Sequence, residues 1–152
     1  MIKIMEKKFV RVHSSKDIAV FTSLIVTGVI LMLFFANVGA NIGGFFLILI
    51  GMLFGLLYKS EYKENETGAK FLKSEYYFQQ EMVESLLSAV SSKPESIDLS
   101  QEGKGKTLKL DIYFSKDTGK AYMQLYKYVP HVYEPYSKIY EYDTAKIANL
   151  IK

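Results

Sequence analysis

Cysteine is absent from the 152-residue chain, arginine occurs once, at Arg11, and histidine twice, at His13 and His131. Each scarcity removes a chemistry. Without cysteine there is no thiol nucleophile, no thiolate ligand and no disulfide, which agrees with a reducing compartment. With its one arginine ahead of the first apolar run, the rest of the chain has no planar fork for two-point phosphate recognition, and duplex nucleic acid is not an expected partner. Any anion must be met by lysine, backbone amides and tyrosine hydroxyls. His131 with Glu134 or Glu141 makes at most a pair, short of the three or four ligands of a metal centre. The segment EGKGK at 102–106 has neither the spacing nor the strand-to-helix setting of a phosphate loop. No catalytic residue, metal or cofactor is assigned, and an enzyme is not expected.

Charge is missing from two long stretches. Ile18 to Ala36 and Ile42 to Tyr58 contain no charged side chain, and only NVGAN separates them. As a helix the first run is about 28 Å long, close to the hydrocarbon thickness of about 30 Å, so the pair reads as a transmembrane hairpin. A signal peptide has a shorter apolar core, of about 7–15 residues, and would leave the second run unexplained. A buried-core origin would require both runs to avoid water in a chain this small. Lys3, Lys7, Lys8, Arg11 and Lys16 precede the first run, and Lys59, Lys63, Lys70 and Lys73 follow the second. The uncharged turn between the runs then lies outside, with both termini cytoplasmic, in an inner (cytoplasmic) membrane. The lack of charge within the spans argues against an ion-coupled transporter. Thr22, Ser23 and Thr27, the polar side chains of the first span, bond their own helix backbone or line a pore. Gly44, Ile48, Gly51 and Gly55 share one face of the second span. That seam permits close helix approach, either between chains as an oligomerisation surface or to the first span through Gly28 or Ser23.

The expected organisation is a basic arm at 1–17, the two-span hairpin at 18–58, a polar linker at 59–69 and a small cytosolic α+β domain at 70–152. Leu72, Tyr76, Val83, Leu86 or Leu87, and Val90 recur at three- and four-residue spacing, which predicts a long helix from Lys70 to Val90, ended by Ser91, Ser92 and Pro94. Leu108, Leu110, Ile112 and Phe114 alternate with polar residues and predict a strand, and KDTGK at 116–120 predicts a turn. The return strand carries Ala121, Met123, Leu125 and Val129 on one face. A third strand over 136–142 and a closing helix capped by Asp143 or Thr144 complete an antiparallel hairpin or three-stranded sheet with two helices.

Tyr113, Tyr122, Tyr126 and Tyr128 share the opposite face of that hairpin. Two helices do not cover both sides of a sheet, so this face is expected to meet water, a ligand, a partner or the bilayer surface. Residues 60–103 carry four lysines against nine acids, whereas 104–138 carry seven lysines against three acids. The bland reading is an acidic helix beside a basic sheet edge, each simply solvated. The sharper reading is a site for a small anion with a stackable ring, built from Lys104, Lys106, Tyr126, Tyr128, His131, Tyr133, Tyr136 and Lys138. Ordinary sheet packing of the tyrosines is its rival.

Two functions follow as expectations. One is a membrane sensor-effector that binds a small anionic ligand and acts on the bilayer as a homo-oligomer, since two spans alone enclose no channel. The other is a scaffold or accessory subunit that docks a cytosolic protein on its tyrosine face. The layout of two spans followed by one small domain resembles the small two-helix membrane effectors associated with type III CRISPR defence. That resemblance is one of architecture and carries no site residue. It implies a cytosolic domain that binds cyclic oligoadenylate in antiviral defence, and assembly as a tetramer.

Overall fold

A computed structural model describes residues 4–35 and 37–151. Lys3 of the basic flank, Ala36 at the end of the first apolar run and Lys152 lie outside the described residues. The chain divides into two compact units. One is Arg11–Glu61, and the other joins the stretch up to Val10 to Tyr62 and beyond.

The first unit is a helical hairpin, α1 (Ser15–Phe34) and α2 (Val38–Leu57). α1 begins with a capping box. The Ser14 hydroxyl accepts from the Asp17 N–H at 3.0 Å, and the Asp17 carboxylate accepts from the Ser14 N–H at 2.9 Å. The same carboxylate accepts from the Ser60 N–H at 2.9 Å and from its hydroxyl, tying the start of α1 to the chain leaving α2. Asn37 caps α2 through the Ala40 N–H.

The helices approach closely at glycines. A Cβ on Gly28 would fall 2.5 Å from the Gly44 carbonyl oxygen and 2.7 Å from Ile48 Cγ1. One on Gly51 would meet Ile25 Cγ1 at 2.8 Å, and one on Gly55 the Phe21 ring at 3.3 Å. Gly44, Gly51 and Gly55 of the expected seam thus each face α1 of the same chain. Ser23 donates to the Val20 carbonyl at 2.8 Å, satisfying its hydroxyl within its own helix. Both helices are long and apolar enough to cross a membrane, and in each only 11% of the most apolar window is buried.

The second unit is built on a sheet. Among the described residues seven strands form: β1 (Phe9–Val12), β2 (Glu61–Glu64), β3 (Lys70–Phe78), β4 (Leu108–Phe114), β5 (Lys120–Val129), β6 (Val132–Pro135) and β7 (Tyr140–Asp143). They lie in the order β1-β2-β3-β4-β5-β6, with β7 paired to β5 beside β6. β3, β4 and β5 are antiparallel neighbours, with Leu110 opposite Tyr76 on one side and Leu125 on the other. Gly119, at φ +68°, closes the expected 116–120 turn in the left-handed region.

Several expectations are corrected here. The long helix from Lys70 is a nine-residue strand followed by a ten-residue helix, α3 (Val83–Ser92). Leu72 and Tyr76 satisfy helical spacing, but together with Ser74 and Phe78 they also share one parity of a strand. The aromatic-rich run KFLKSEYYF then favours pairing with β4. The hairpin or three-stranded sheet is a larger seven-stranded one. The closing helix is a short 3-10 turn, Thr144–Ile147, without a side-chain cap. The polar linker contains β2. Met5 and Phe9 of the expected basic arm pack on the sheet.

That packing decides which face is open. Phe78, Leu108, Leu110, Ile112, Phe114, Met123 and Leu125 are buried with Leu86 and Val90 of α3 and Ile147 and Leu150 of the C-terminus. On the opposite face, Met5 and Phe9 bury Phe71, Tyr113 and Tyr122. The Phe9 ring stacks on Tyr113 at 4.2 Å between centroids and 3° between planes. The expected open tyrosine face is thus largely covered by the N-terminal arm, and Tyr126, also placed on it, is 2% exposed. Tyr140 and Tyr142 pack against the apolar core instead, with the Tyr142 hydroxyl donating to the Val90 carbonyl at 2.7 Å.

Candidate functional site

The part of the tyrosine cluster that remains open is the corner where β5 turns into β6. Val129 pairs with Val132, so Pro130 and His131 alone make the turn. Proline fixes the first corner, and His131 takes the left-handed conformation at φ 72°, which suits glycine or asparagine better. This register sets Tyr128 opposite Tyr133, with ring centroids 5.3 Å apart and edge to face. The Tyr133 hydroxyl donates to the Lys106 carbonyl at 2.6 Å, which draws the segment before β4 against β6. A concavity of about 340 Å³ results, lined by Lys106, Thr107, Tyr128 and Tyr133.

Three of the eight residues singled out in the sequence, Lys106, Tyr128 and Tyr133, line this concavity. His131 is exposed at the adjacent turn, and its backbone N–H donates to the Tyr128 hydroxyl at 3.4 Å. Tyr136 is exposed further along, with the Lys127 ammonium 5.8 Å from its ring centre. Lys104 is exposed and donates to Gln101 Oε1 at 2.9 Å, and Lys138 is exposed without lining the concavity. Tyr126 does not reach it at all: its hydroxyl donates to Gln124 Oε1 at 2.7 Å in the interior.

Beside the concavity lies a charged cluster that the sequence did not single out. Lys73 and Lys109 each bring Nζ to 3.1 Å from Asp111 Oδ2, and Asp111 is fully buried. Lys73 also pairs with Glu75. Glu6 of the arm places Oε1 3.4 Å from Lys109 Nζ and 3.7 Å from Lys73 Nζ. For Lys73 burial works toward the neutral form, but Asp111 and Glu75 together outweigh it and hold the ammonium well above its ordinary range. Burial pushes the Tyr133 phenol up, with Lys109 opposing, so Tyr133 remains a neutral donor. Lys109 belongs to both groups. Its Nζ lies 5.3 Å from the centre of the Tyr133 ring and 4.7 Å from that of Tyr126.

Strand parity alone places Lys73, Lys109 and Asp111 on one face once β3 is read as a strand, a signal that the helical reading hid. The arrangement offers two aromatic edges, a main-chain wall and lysine charge. It holds no nucleophile–base pair, and among the described residues no group of three or more His, Asp or Glu is placed to hold a metal. Compared with protein-family models, with curated proteins and with solved structures, the chain finds no match in any of the three.

Proposed function

We propose that this protein is anchored in the inner membrane by α1 and α2, with both termini cytoplasmic, and that its sheet unit binds a small anionic ligand carrying a stackable ring at the Lys106–Tyr128–Tyr133 corner. The supporting observation is the pairing in one chain of two unburied apolar helices with a lysine- and tyrosine-lined concavity. The chain leaves the sheet unit at Val10 and returns at Tyr62, and the Asp17–Ser60 clasp keeps the two ends of the hairpin together. A single hairpin fits that connectivity, with every other segment on one side of the bilayer. Soluble core helices satisfy length and apolarity too, but they bury most of their surface, and these do not. Resemblance in layout adds a cyclic oligonucleotide as the candidate ligand and antiviral defence as the setting. Acting on the bilayer then requires several copies, a tetramer being one solution.

The test uses the full chain in lipid nanodiscs. Thermal unfolding is followed with cyclic oligoadenylates, ATP and inorganic phosphate in separate arms. Ligand at 100 times its dissociation constant adds about 2.7 kcal/mol of stability. No shift with any of them sinks the ligand-binding reading. Because the chain has no native cysteine, single cysteines report topology cleanly. Gly39→Cys should react with an impermeant maleimide from outside, and Lys116→Cys only after permeabilisation. The reverse pattern overturns the orientation.

A second reading is favoured by one observation. Tyr128, Val132 and Tyr136, along the β5–β6 hairpin, are exposed large side chains. They suit docking of a cytosolic protein to a membrane-anchored scaffold. Cross-linking in native membranes that recovers only copies of this chain counts against it.

A further inference from the structure

The N-terminal arm leads directly into α1, and one side chain joins that arm to the open corner of the sheet. We propose that Lys109 is a coupling residue between the Tyr128–Tyr133 concavity and the arm, so that an anion entering the concavity draws Lys109 from Glu6 and loosens the arm. The second half of this proposal rests on the ligand-binding reading above; the first half does not.

The arm is held by a short set of contacts. The Met5 N–H donates to Gln124 Oε1 at 2.8 Å, the Asn65 N–H donates to the Lys8 carbonyl at 2.9 Å, and Asn65 Nδ2 to the Lys7 carbonyl at 3.0 Å. Lys8 Nζ is 3.5 Å from the Glu64 carboxylate. Met5 and Phe9 are buried, whereas the Glu6 side chain is 51% exposed. Glu6 is therefore the anchor that water replaces most readily. Charge counting points the same way. Lys73 and Lys109 face three carboxylates, Asp111, Glu75 and Glu6, so releasing Glu6 leaves two ammonium groups facing two carboxylates. An incoming anion restores the charge that Glu6 removes, and neither arrangement strands a buried charge.

The route from concavity to arm is short. Tyr133 forms the wall of the concavity, Lys109 lies over its ring, and Glu6 is paired with the same ammonium. Tyr126 adds a parallel link, because Gln124 Oε1 accepts both from its hydroxyl and from the Met5 N–H. Beyond Phe9 only β1 and His13 intervene before Ser14, the N-cap of α1. A looser arm therefore changes the restraint on the first turn of α1.

The experiment is hydrogen exchange over residues 5–12 of the full chain in nanodiscs, first without ligand. Lys109→Met keeps the apolar stem and should speed exchange about two- to fivefold, the range for one partly exposed ion pair. Tyr133→Leu removes the ring that competes for Lys109 and should slow exchange, while Tyr133→Phe keeps the ring and should leave the arm unchanged. In the Lys109→Met background Tyr133→Leu should have no effect. An unchanged arm in Tyr133→Leu, or the same change in both backgrounds, overturns the coupling. The ligand arm uses inorganic triphosphate. Coupling is reciprocal, so Glu6→Gln should tighten triphosphate binding about two- to fivefold. Equal affinity in wild type and Glu6→Gln overturns the competition. If wild type binds no triphosphate, that ligand class falls, while the ligand-free exchange cycle still decides the coupling.

Discussion

The two faces of the sheet are covered in opposite ways. α3 and the C-terminal turn lie on a face of Leu, Ile, Phe and Met, held chiefly by burial, with the hydroxyls of Tyr76 and Tyr142 donating to main-chain carbonyls at its margins. On the other face the N-terminal arm covers aromatic rings at one end and a network of Lys73, Lys109, Asp111 and Gln124 toward the other. The first cover resists change of volume, and the second resists loss of a partner. Only the second joins a surface concavity to a chain segment that continues into a membrane-length helix.

Leu110 and Asp111 are adjacent on β4, both fully buried, and point to opposite faces, so they isolate the difference. Leu110→Ala should cost about 2–5 kcal/mol in denaturant unfolding, the range for a cavity in a close-packed core. Asp111→Ala should cost about 3 kcal/mol, because two ammonium groups lose the carboxylate they share. Replacing the group together, Lys73→Met with Lys109→Met and Asp111→Leu, should recover most of that loss, since a packed apolar set needs no pairing. No hydrophobic rescue of this kind exists for Leu110→Ala except refilling its volume. Equal losses in Asp111→Ala and in the triple variant would mean that the charges matter through shape rather than pairing.

Much of this division was readable from sequence, and the omissions have physical causes. Leu108 to Phe114 and Ala121 to Leu125 alternate around a glycine-bearing turn, so β4, β5 and their apolar face follow from periodicity. β3 was hidden because Leu72 and Tyr76 fit both a helix and a strand, and only the register with β4 decides between them. β1, β6 and β7 have four residues each, too few to display a period. The cover for Tyr113 and Tyr122 comes from Met5 and Phe9, on the far side of the hairpin in sequence, and no local pattern announces so distant a pairing. For the site, Tyr128 follows from strand parity, Lys106 from the lysine excess over 104–138, and Tyr133 from the density of tyrosines around the turn. Lys109 and Asp111 alternate with the apolar residues of β4, and that pattern by itself does not separate a solvated face from one covered by a distant segment.

Acid provides a smaller test of the arm-covered face. Glu64 accepts from the Thr67 hydroxyl and pairs with Lys8 of the arm. Burial alone would raise its carboxyl, but Thr67, Tyr122 and Lys8 outweigh that and hold it below the ordinary value of 4.5. A lowered folded-state value means that the stabilisation is present above about pH 4.5 and is lost as pH falls through the folded value. Protection over residues 5–12, taken relative to the intrinsic exchange rate at each pH, should therefore fall on acidification below about pH 4.5 and remain level above it. Glu64→Gln should remove much of that acid limb. The apolar face, followed at Leu110 and Leu125, should change less over the same range.

The smallest expected effect lies at the corner between the faces. His131 holds φ 72° without hydrogen bonding through its ring, at a turn where glycine carries no Cβ penalty. His131→Gly should raise stability by about 0.5 to 1 kcal/mol, the left-handed penalty less the extra chain entropy glycine loses on folding. Pro130, Val129 and Val132 still define the turn, so Tyr128 and Tyr133 keep their spacing and the concavity its walls. If ligand affinity drops in a variant that is more stable than wild type, the imidazole is itself a contact, and strain at this corner is retained for binding. If stability rises and affinity is unchanged, the corner serves only to set Tyr128 against Tyr133, and the binding surface ends at Lys106.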